Sequence, residues 1–274
     1  MAGLQVQNKL TSGDDISGLR RPLAVITGAS SGIGAALAMQ FSRDGYSLLL
    51  AGRDLIRLKL IADEVRAAGA QVKLSCVDLS DAQALEIFAK EVEVLSPDIL
   101  VNNAGFGGFG ACANMDPQLV AGMIATNITA LTRLTQAVLP GMIAHDSGRI
   151  LQVASTGAFA PLPYSATYGA TKAYVLSFSE AVAEELHGTS VSITVLCPGP
   201  TATPFFERAG WDGTRLFKGG MSTPQEVATQ GYAGLMAGRR VVVVGWRNRL
   251  MVAAIRFAPR RLVSMATRIM LASR

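Results

Sequence analysis

The chain has 274 residues, a length that fits one large domain or two small ones, and half of its residues are hydrophobic while 16% are charged. This composition supplies a sizeable buried core. No run of about 18 uncharged apolar residues occurs, which argues against a membrane-spanning helix. Cys76, Cys112 and Cys197 are isolated and lack metal-ligand spacing, so we expect buried thiols, no metal site and a reducing, cytoplasmic location.

Residues 1–20 are polar and lack the apolar segment of a secretory signal, so we interpret them as a flexible N-terminal arm. After them, short apolar runs alternate with longer segments of helical periodicity. The predicted strands are 23–27, 47–51, 72–77, 98–102, 149–153, 191–196 and 240–244. The predicted helices are 32–44, 55–68, 81–95, 117–145, 164–187 and 224–236.

Strands that are apolar on both faces and separated by helices favour a parallel sheet that is covered on both sides. The unbroken series predicts an α/β fold: a single doubly wound (Rossmann) domain at 21–246 with a seven-stranded parallel sheet. A helical extension is expected at 247–274. Because ligands of such folds bind outside the carboxyl ends of the strands, we expect the chemistry in the loops there, including a substrate loop at about 200–223.

The first predicted strand runs into TGASSGIG, which places three glycines around two serines. Glycines let the backbone approach a pyrophosphate, and the N-terminus of the following helix favours its negative charge. A strand before the loop and a helix after it supply the context that a lone glycine pattern lacks. The predicted cofactor contacts of this loop are Gly28, Ser30, Ser31, Gly32, Ile33 and Gly34.

The spacing G-x-x-x-G-x-G, together with NNAG at 102–105, resembles the short-chain dehydrogenase/reductase family over about 22–245, in particular its NADP-dependent bacterial ketone and 3-oxoacyl reductases. The resemblance implies further cofactor contacts after the third and fourth strands. These are Asp78, Leu79, Asn103, Ala104 and Gly105. In the family the position of Asp78 contacts the adenine edge, and a helix-capping acid is the alternative role for it.

The end of the second strand, LLLAGRD, bears on the choice of cofactor. An acid near this point binds a free ribose 2′-hydroxyl, whereas an arginine meets a 2′-phosphate. Gly52 stands where the NAD-type acid of the family usually lies, and Arg53 and Arg57 follow. We therefore predict NADP(H) in preference to NAD(H), and interpret Asp54 as the N-cap of the next helix.

Three residues near the fifth predicted strand predict acid–base chemistry: Ser155, Tyr168 and Lys172. Tyr168 and Lys172 are four residues apart and share a helix face. A phenol with a pKa near 10 is a poor catalyst at neutral pH, and a nearby ammonium is expected to lower that pKa. Ser155 can hydrogen-bond the same carbonyl oxygen that Tyr168 protonates, while a nicotinamide supplies hydride.

The family resemblance adds to this set. It implies that Lys172 also binds the nicotinamide ribose and that Tyr168 is a further cofactor contact. It also implies that Asn127 completes a proton relay through water. It implies that the loop after the sixth strand lines the nicotinamide, with Thr201 near the carboxamide and Thr203 near the phosphates. The remaining contacts expected in that loop are Pro198 and Gly199. His145 and His187 lie outside every motif and are interpreted as surface residues at helix ends.

The residues expected around the substrate carbonyl are mostly aromatic and carry no charge. They are Phe106, Phe109, Ala158, Phe159, Leu162, Tyr164, Phe205 and Phe206. Such a pocket favours a small hydrophobic carbonyl or alcohol, for example a 3-oxoacyl chain, a steroid or an aromatic ketone.

No acid follows Glu226, whereas nine arginines do, and the net charge is +5. The segment 247–274 predicts two helical pieces split by Pro259, with Arg261 and Arg268 on one stripe of the second. A basic amphipathic helix suits an anionic membrane surface, so peripheral membrane contact is one interpretation. Packing over the substrate cleft or at a subunit interface is the other. Nucleic acid is not expected, since aromatic residues are not interleaved with the charges.

The sequence thus predicts an NADPH-dependent carbonyl reductase, which the family resemblance suggests forms a homodimer or a higher homo-oligomer. An NAD-linked alcohol dehydrogenase of the same fold is one alternative. A cofactor-binding regulator or scaffold without turnover is another, although the complete Ser155, Tyr168 and Lys172 set disfavours it.

Overall fold

The computed structural model describes residues 21–211 and 220–271. Seven parallel strands form one sheet in the order β3-β2-β1-β4-β5-β6-β7. They are β1 Leu23–Thr27, β2 Ser47–Gly52, β3 Val72–Cys76, β4 Ile99–Asn102, β5 Gly148–Val153, β6 Val191–Cys197 and β7 Val241–Val243. The predicted seven-stranded Rossmann fold is confirmed. The predicted arm at 1–20, the middle of the substrate loop and residues 272–274 lie outside the described residues.

Helices connect the strands and extend the chain beyond the sheet. They are α1 Gly32–Arg43, α2 Leu55–Ala67, α3 Ala82–Leu95, α4 Pro117–Ile124, α5 Leu131–Ala144, α6 Ala166–Glu185, α7 Phe205–Arg208, α8 Pro224–Met236, α9 Trp246–Phe257 and α10 Arg260–Leu271. Local signals fix several starts. Asp54 and Asp81 accept a backbone N–H of α2 and α3, and Thr223 with Glu226 forms a capping box on α8.

The core lies on both faces of the sheet because successive side chains of a strand point to opposite sides. In β1, Ala24 and Ile26 pack with α1, α2 and α8, whereas Val25 packs with α3, α5 and α6. Phe41 and Phe88 are the largest fully buried side chains of the two layers. Every central strand is therefore apolar on both faces, as the sequence pattern indicated.

The strand order places a crevice between β1 and β4, at the carboxyl ends of the strands. The chain leaves β1 for β2 and β3 on one side, and then returns to β4 on the other side of β1. Neighbouring connections diverge there, so the carboxyl ends of β1 and β4 open a crevice, which is where doubly wound folds bind ligands.

The helix predicted at 117–145 is interrupted. A π turn at Ala125–Ala130 separates α4 from α5. Asn127 lies in this turn and exchanges two hydrogen bonds with the backbone of Phe106, in the loop after β4. Single π turns often occur where a side chain is held for function, so the interruption marks this position.

The C-terminal extension forms two helices, α9 and α10, which meet at Pro259 as predicted. Thr267 of α10 donates a hydrogen bond to the Pro161 carbonyl at 2.8 Å, and this contact attaches the extension to the loop after β5. Among the residues that the structure describes, no helix is both long enough and apolar enough to cross a membrane.

Candidate active site

A cleft of about 1030 Å³ lies at the carboxyl ends of the strands, and the glycine loop forms its floor. Gly28 and Gly32 have φ of 64° and 59°, a conformation that favours glycine. A Cβ on Gly28 would lie 2.8 Å from the Ala104 backbone, and one on Gly32 would lie 2.9 Å from Thr203 Cγ2. The loop can take its shape only without these side chains, and so exposes its backbone to the cleft.

The first turn of α1 faces the cleft without a side-chain cap. Ser31 is the N-cap residue but makes no capping hydrogen bond. Backbone N–H groups at Gly32 and Ile33 therefore stay available, together with the positive end of the helix dipole. This arrangement fits the pyrophosphate of a dinucleotide.

Thr27 and Asn103 join the glycine loop to the NNAG turn. The Thr27 hydroxyl oxygen accepts the N–H groups of Asn103 and Ala104 at 3.0 Å each. The Asn103 amide donates to the carbonyls of Thr27 and Gly28 at 2.9 and 3.1 Å. Sequence reasoning missed Thr27, although a hydroxyl at the end of the first strand was a usable signal. These bonds hold the two cofactor loops as one rigid surface.

The adenosine end of the cleft carries Arg53, whose side chain is half exposed. Its guanidinium lies 3.8 Å from the Asp78 carboxylate and 5.6 Å from the centre of the Phe106 ring. Asp54 caps α2, as expected, and also pairs with Arg57 at 3.3 Å. The Asp54 carboxylate is therefore already engaged, and Arg57 does not line the cleft.

Asp78 occupies a turn of its own. Its carboxylate accepts hydrogen bonds from the backbone and hydroxyl of Ser80 at 2.9 and 2.7 Å. The N-cap of α3 is Asp81, so the expected alternative of a helix-capping role falls to that residue instead. Asp78 nevertheless lines the cleft beside Leu79.

Ser155, Tyr168 and Lys172 come together at the centre of the cleft. The Gly157 N–H donates to Ser155 Oγ at 3.0 Å, which leaves the serine hydroxyl free to donate to the Tyr168 oxygen. Lys172 Nζ donates to the Val153 carbonyl at the end of β5 at 2.8 Å. The pairing of β5 with the sheet thus positions the lysine, and α6 positions the tyrosine beside it.

Burial determines the pKa values of this group. It raises the pKa of Tyr168 to about 12, although the hydrogen bond with Ser155 acts to lower it. The expected lowering of this pKa by Lys172 is wrong, because desolvation of the phenolate dominates. Burial lowers the pKa of Lys172 to about 8 and raises that of the neighbouring Cys197 to about 12.

Asn127 is buried beside the catalytic group and does not line the cleft. Its amide donates to the Phe106 carbonyl at 2.9 Å and to Thr171 Oγ at 3.0 Å, while its oxygen accepts the Phe106 N–H at 3.1 Å. A Cβ on Gly105 would lie 3.0 Å from Asn127 Oδ1 and 3.4 Å from Lys172 Nζ. Gly105 thus leaves a small space that adjoins both side chains.

The loop after β6 closes the other side of the cleft. Pro198, Gly199, Thr201 and Thr203 all line it. Thr201 is buried, donates to the Gly199 carbonyl at 3.0 Å and pairs with Ser222 across the substrate loop. Of the predicted cofactor residues, Gly34 and Arg57 alone do not line the cleft. Gly34 packs directly against the glycine loop, where a Cβ would overlap the Gly28 carbonyl.

The substrate end of the cleft is apolar, as predicted, but its lining differs from the prediction. Leu162, Phe205 and Phe206 line it, whereas Phe106 lines the cleft beside the Arg53 guanidinium. Ala158 and Phe159 do not, since they pack against the core formed by Val175 and its neighbours. Phe109 and Tyr164 are not among the lining residues, and their rings contact each other in a tilted arrangement with centroids 6.0 Å apart.

Other lining residues escaped sequence reasoning. Trp211 lines the cleft and contacts the Tyr168 ring at 6.0 Å between centroids. The last two helices contribute Arg247, Asn248, Met251, Ile255, Thr267, Met270 and Leu271. Arg208 and Arg247 also line the cleft, so its lining includes positive charge besides the uncharged residues expected around the substrate. Only the general amphipathic pattern of the extension could have indicated these positions.

The parallel sheet, the glycine loop and the Ser155, Tyr168 and Lys172 group define an oxidoreductase that uses a nicotinamide cofactor. The sequence model of the short chain dehydrogenase family matches residues 22–212. The chain belongs to the short-chain dehydrogenase/reductase family.

Several known proteins resemble the chain over most of its length. One relative, from Streptomyces violaceoruber, is named as a ketoacyl reductase of the granaticin polyketide synthase. It is 38% identical over 192 residues, and the match covers 69% of this chain and 71% of the relative. The NADPH complex of a short-chain dehydrogenase from Sphingobium yanoikuyae has a TM-score of 0.76 at 31% identity. The match covers 88% of this chain and 94% of that structure. A bulky-bulky ketone specific alcohol dehydrogenase from Comamonas testosteroni has a TM-score of 0.75 at 27% identity, covering 87% and 93%.

Proposed function

We propose that this enzyme reduces the carbonyl group of a hydrophobic substrate with NADPH, and that Tyr168 donates the proton. The observation that carries the proposal is the position of Tyr168. Tyr168 lines the cleft together with the cofactor loops and contacts the aromatic ring of Phe205, and Ser155 is near enough to its hydroxyl to act on its pKa. The bound nicotinamide supplies the hydride.

The chain's own groups divide the remaining work. Ser155 Oγ is held by the Gly157 N–H and directs its hydroxyl towards the carbonyl oxygen that Tyr168 protonates. Burial keeps Tyr168 protonated at neutral pH. Lys172, charged below about pH 8, stabilises the phenolate left after proton transfer. Asn127 acts as a positioning residue, since it holds the backbone at Phe106 beside Lys172.

The preference for NADPH rests on the adenosine end. Arg53 offers a guanidinium at the end of β2, and Gly52 supplies no carboxylate to compete with a 2′-phosphate. The neighbouring acid, Asp54, is engaged with α2 and Arg57. The NADPH found in the Sphingobium relative supports the same preference.

The substrate class rests on the aromatic cluster around the catalytic tyrosine. Tyr168 contacts Phe205 at 5.4 Å and Trp211 at 6.0 Å between ring centroids. A wall of this kind selects bulky apolar ketones or 3-oxoacyl chains, and the names of the Streptomyces and Comamonas relatives agree with both. Arg208 and Arg247, which also line the cleft, suit a substrate with one polar or anionic end.

The test is a Tyr168→Phe variant. We expect ketone reduction to fall by about 10²–10⁴-fold while NADPH binding, followed by its fluorescence, stays unchanged. The wild-type protein serves as the control in a panel of aromatic ketones, steroids and 3-oxoacyl thioesters with both cofactors. Equal activity of the variant would end the assignment of Tyr168. Cofactor binding without turnover of any substrate would favour the regulator alternative.

A second test addresses the cofactor. A Cβ on Gly52 would lie 3.6 Å from Leu58 and from Ser30 Oγ, so the position has room for a side chain. Gly52→Asp should weaken NADPH binding by roughly tenfold or more through charge repulsion and improve NADH binding. Gly52→Asn is the matched neutral control. If both variants shift the preference equally, the charge at this position is not what selects the cofactor.

The assembly is proposed as a homodimer or a larger homo-oligomer. Sedimentation equilibrium of the full chain decides this, and a monomer at micromolar concentration contradicts it.

A further inference from the structure

The two C-terminal helices, α9 and α10, carry a concentration of exposed apolar side chains. Of the sixteen large apolar side chains that are exposed in the described part of the chain, seven lie in α9 and α10. We define the outer tail face by six of them, Trp246, Leu250, Phe257, Leu262, Met265 and Ile269. Grouped apolar exposure of this kind marks an interaction surface, whereas single exposed apolar residues do not.

The outer tail face follows helical periodicity in both helices. Trp246, Leu250 and Phe257 share one stripe of α9, and Leu262, Met265 and Ile269 share one stripe of α10. The opposite sides are occupied: Val252, Val263 and Leu271 are buried there. Residues on the inner sides of both helices also line the cleft, so the outer tail face lies on the side away from it.

Arginines border these stripes. Arg249 and Arg256 lie along one side of the α9 stripe, and Arg261 and Arg268 lie along the α10 stripe. No acidic residue occurs anywhere in the chain after Glu226. The face therefore combines exposed apolar side chains with positive charge that no local carboxylate balances.

We propose that the outer tail face binds the surface of an anionic membrane, with the helices lying in the plane of the interface. Apolar side chains would enter the boundary between headgroups and acyl chains, and the bordering arginines would meet lipid phosphates. Because the inner sides of the same helices line the cleft, docking would leave α9 and α10 between the lipid and the cleft.

The charge pattern favours lipid over two other occupants. In a two-fold dimer built on this face, the same patch would meet itself, and arginines would oppose arginines without any acid to pair them. An acidic protein would match the arginines, but it would not by itself accommodate a face centred on Phe257, which is 90% exposed, and Trp246, which is 66% exposed.

The experiment is vesicle co-sedimentation of the full chain with phosphatidylglycerol–phosphatidylcholine vesicles and with pure phosphatidylcholine vesicles. We expect binding to the anionic vesicles that weakens as salt is raised. A blue shift of tryptophan emission should accompany binding and should be absent in Trp246→Phe. Absence of binding to anionic vesicles at low salt overturns the proposal.

Charge is tested by the triple variant Arg256→Gln/Arg261→Gln/Arg268→Gln, whose three side chains are exposed. At about fivefold for each arginine, affinity for anionic vesicles should fall about 100-fold. The matched control, Arg43→Gln/Lys59→Gln/Lys90→Gln, removes the same charge from exposed sites elsewhere. An equal loss in both triple variants would mean that net charge alone governs binding, and would refute a specific face.

The apolar contribution is tested by the double variant Leu250→Ser/Phe257→Ser, whose sites are 62% and 90% exposed. The matched control is Leu60→Ser/Val94→Ser, at sites outside the outer tail face that are 59% and 85% exposed. Only the first variant should lose vesicle affinity, by at least about tenfold. Circular dichroism confirms that both are folded. If the first variant instead changes the sedimentation mass and leaves vesicle binding intact, the face is a subunit interface and the proposal is wrong.

Discussion

Replacing Lys172 by methionine should make the protein more stable at pH 7 while removing a catalytic group. Lys172 is 5% exposed, and burial lowers the pKa of its ammonium group from 10.5 to about 8. A pKa that is lower in the folded than in the unfolded state means that the charged form destabilises the fold. At 1.36 kcal/mol per pKa unit, the charged lysine costs about 3 kcal/mol at pH 7.

Methionine removes this cost but leaves the Val153 carbonyl without its donor, a loss of about 1 kcal/mol. The net gain in the free energy of unfolding should therefore be about 2 kcal/mol at pH 7. The unfolded lysine binds more protons than the folded one between about pH 8 and 10.5, so wild-type stability rises with pH through this window. Near pH 10 the cost of the charge is only about 1 kcal/mol, and the advantage of the variant should vanish.

The assay is urea denaturation of both proteins at pH 7 and pH 10. Lys90→Met, at an exposed site, serves as the control and should show no pH-dependent difference from wild type. A Lys172→Met variant that is destabilised equally at both pH values would refute the reasoning, because the ammonium would then not be desolvated as the geometry requires.

Two further outcomes follow from the structure. The kcat/KM for NADPH reports the cofactor-free enzyme and should fall as pH rises through about 8, where Lys172 loses its charge; a flat profile from pH 6 to 9.5 would contradict this. Gly234→Ala should cost about 1–3 kcal/mol in the free energy of unfolding, because its Cβ would overlap Val242 and press α8 off the sheet. The exposed Thr229→Ala, on the same helix, should stay within about 0.5 kcal/mol of wild type in urea denaturation.

The fold could be predicted from the sequence because its determinants are local. Strands such as LAVIT and SLLLA are mostly apolar and are buried at every position, and each is followed by a segment of helical periodicity. The order of such elements largely restricts the topology to a doubly wound sheet. The glycine loop and the Tyr168 and Lys172 pair were equally accessible, since close sequence spacing fixes their relative positions.

Features that depend on contacts between distant segments could not be predicted. The π turn at Asn127 exists because its amide meets the Phe106 backbone 21 residues away. Ala158 and Phe159 turn to the core, although they follow Ser155 closely, and no periodicity in so short a loop distinguishes the two directions. Packing over the cleft was one interpretation of the extension's amphipathic pattern, but the pattern did not show which residues of α9 and α10 line the cleft.

The shift of the Tyr168 pKa is the most informative difference between the sequence-based expectation and the structure, because the pKa is raised where a lowering was expected. Sequence spacing gave the nearby ammonium but not the depth of burial, and burial outweighs the charge. With a pKa of about 12, Tyr168 holds its proton throughout the physiological range and is ready to donate it. Oxidation of an alcohol would instead need the phenolate as the base, which this environment disfavours. The same burial that makes the charged form of Lys172 costly to the fold therefore keeps Tyr168 in its protonated form.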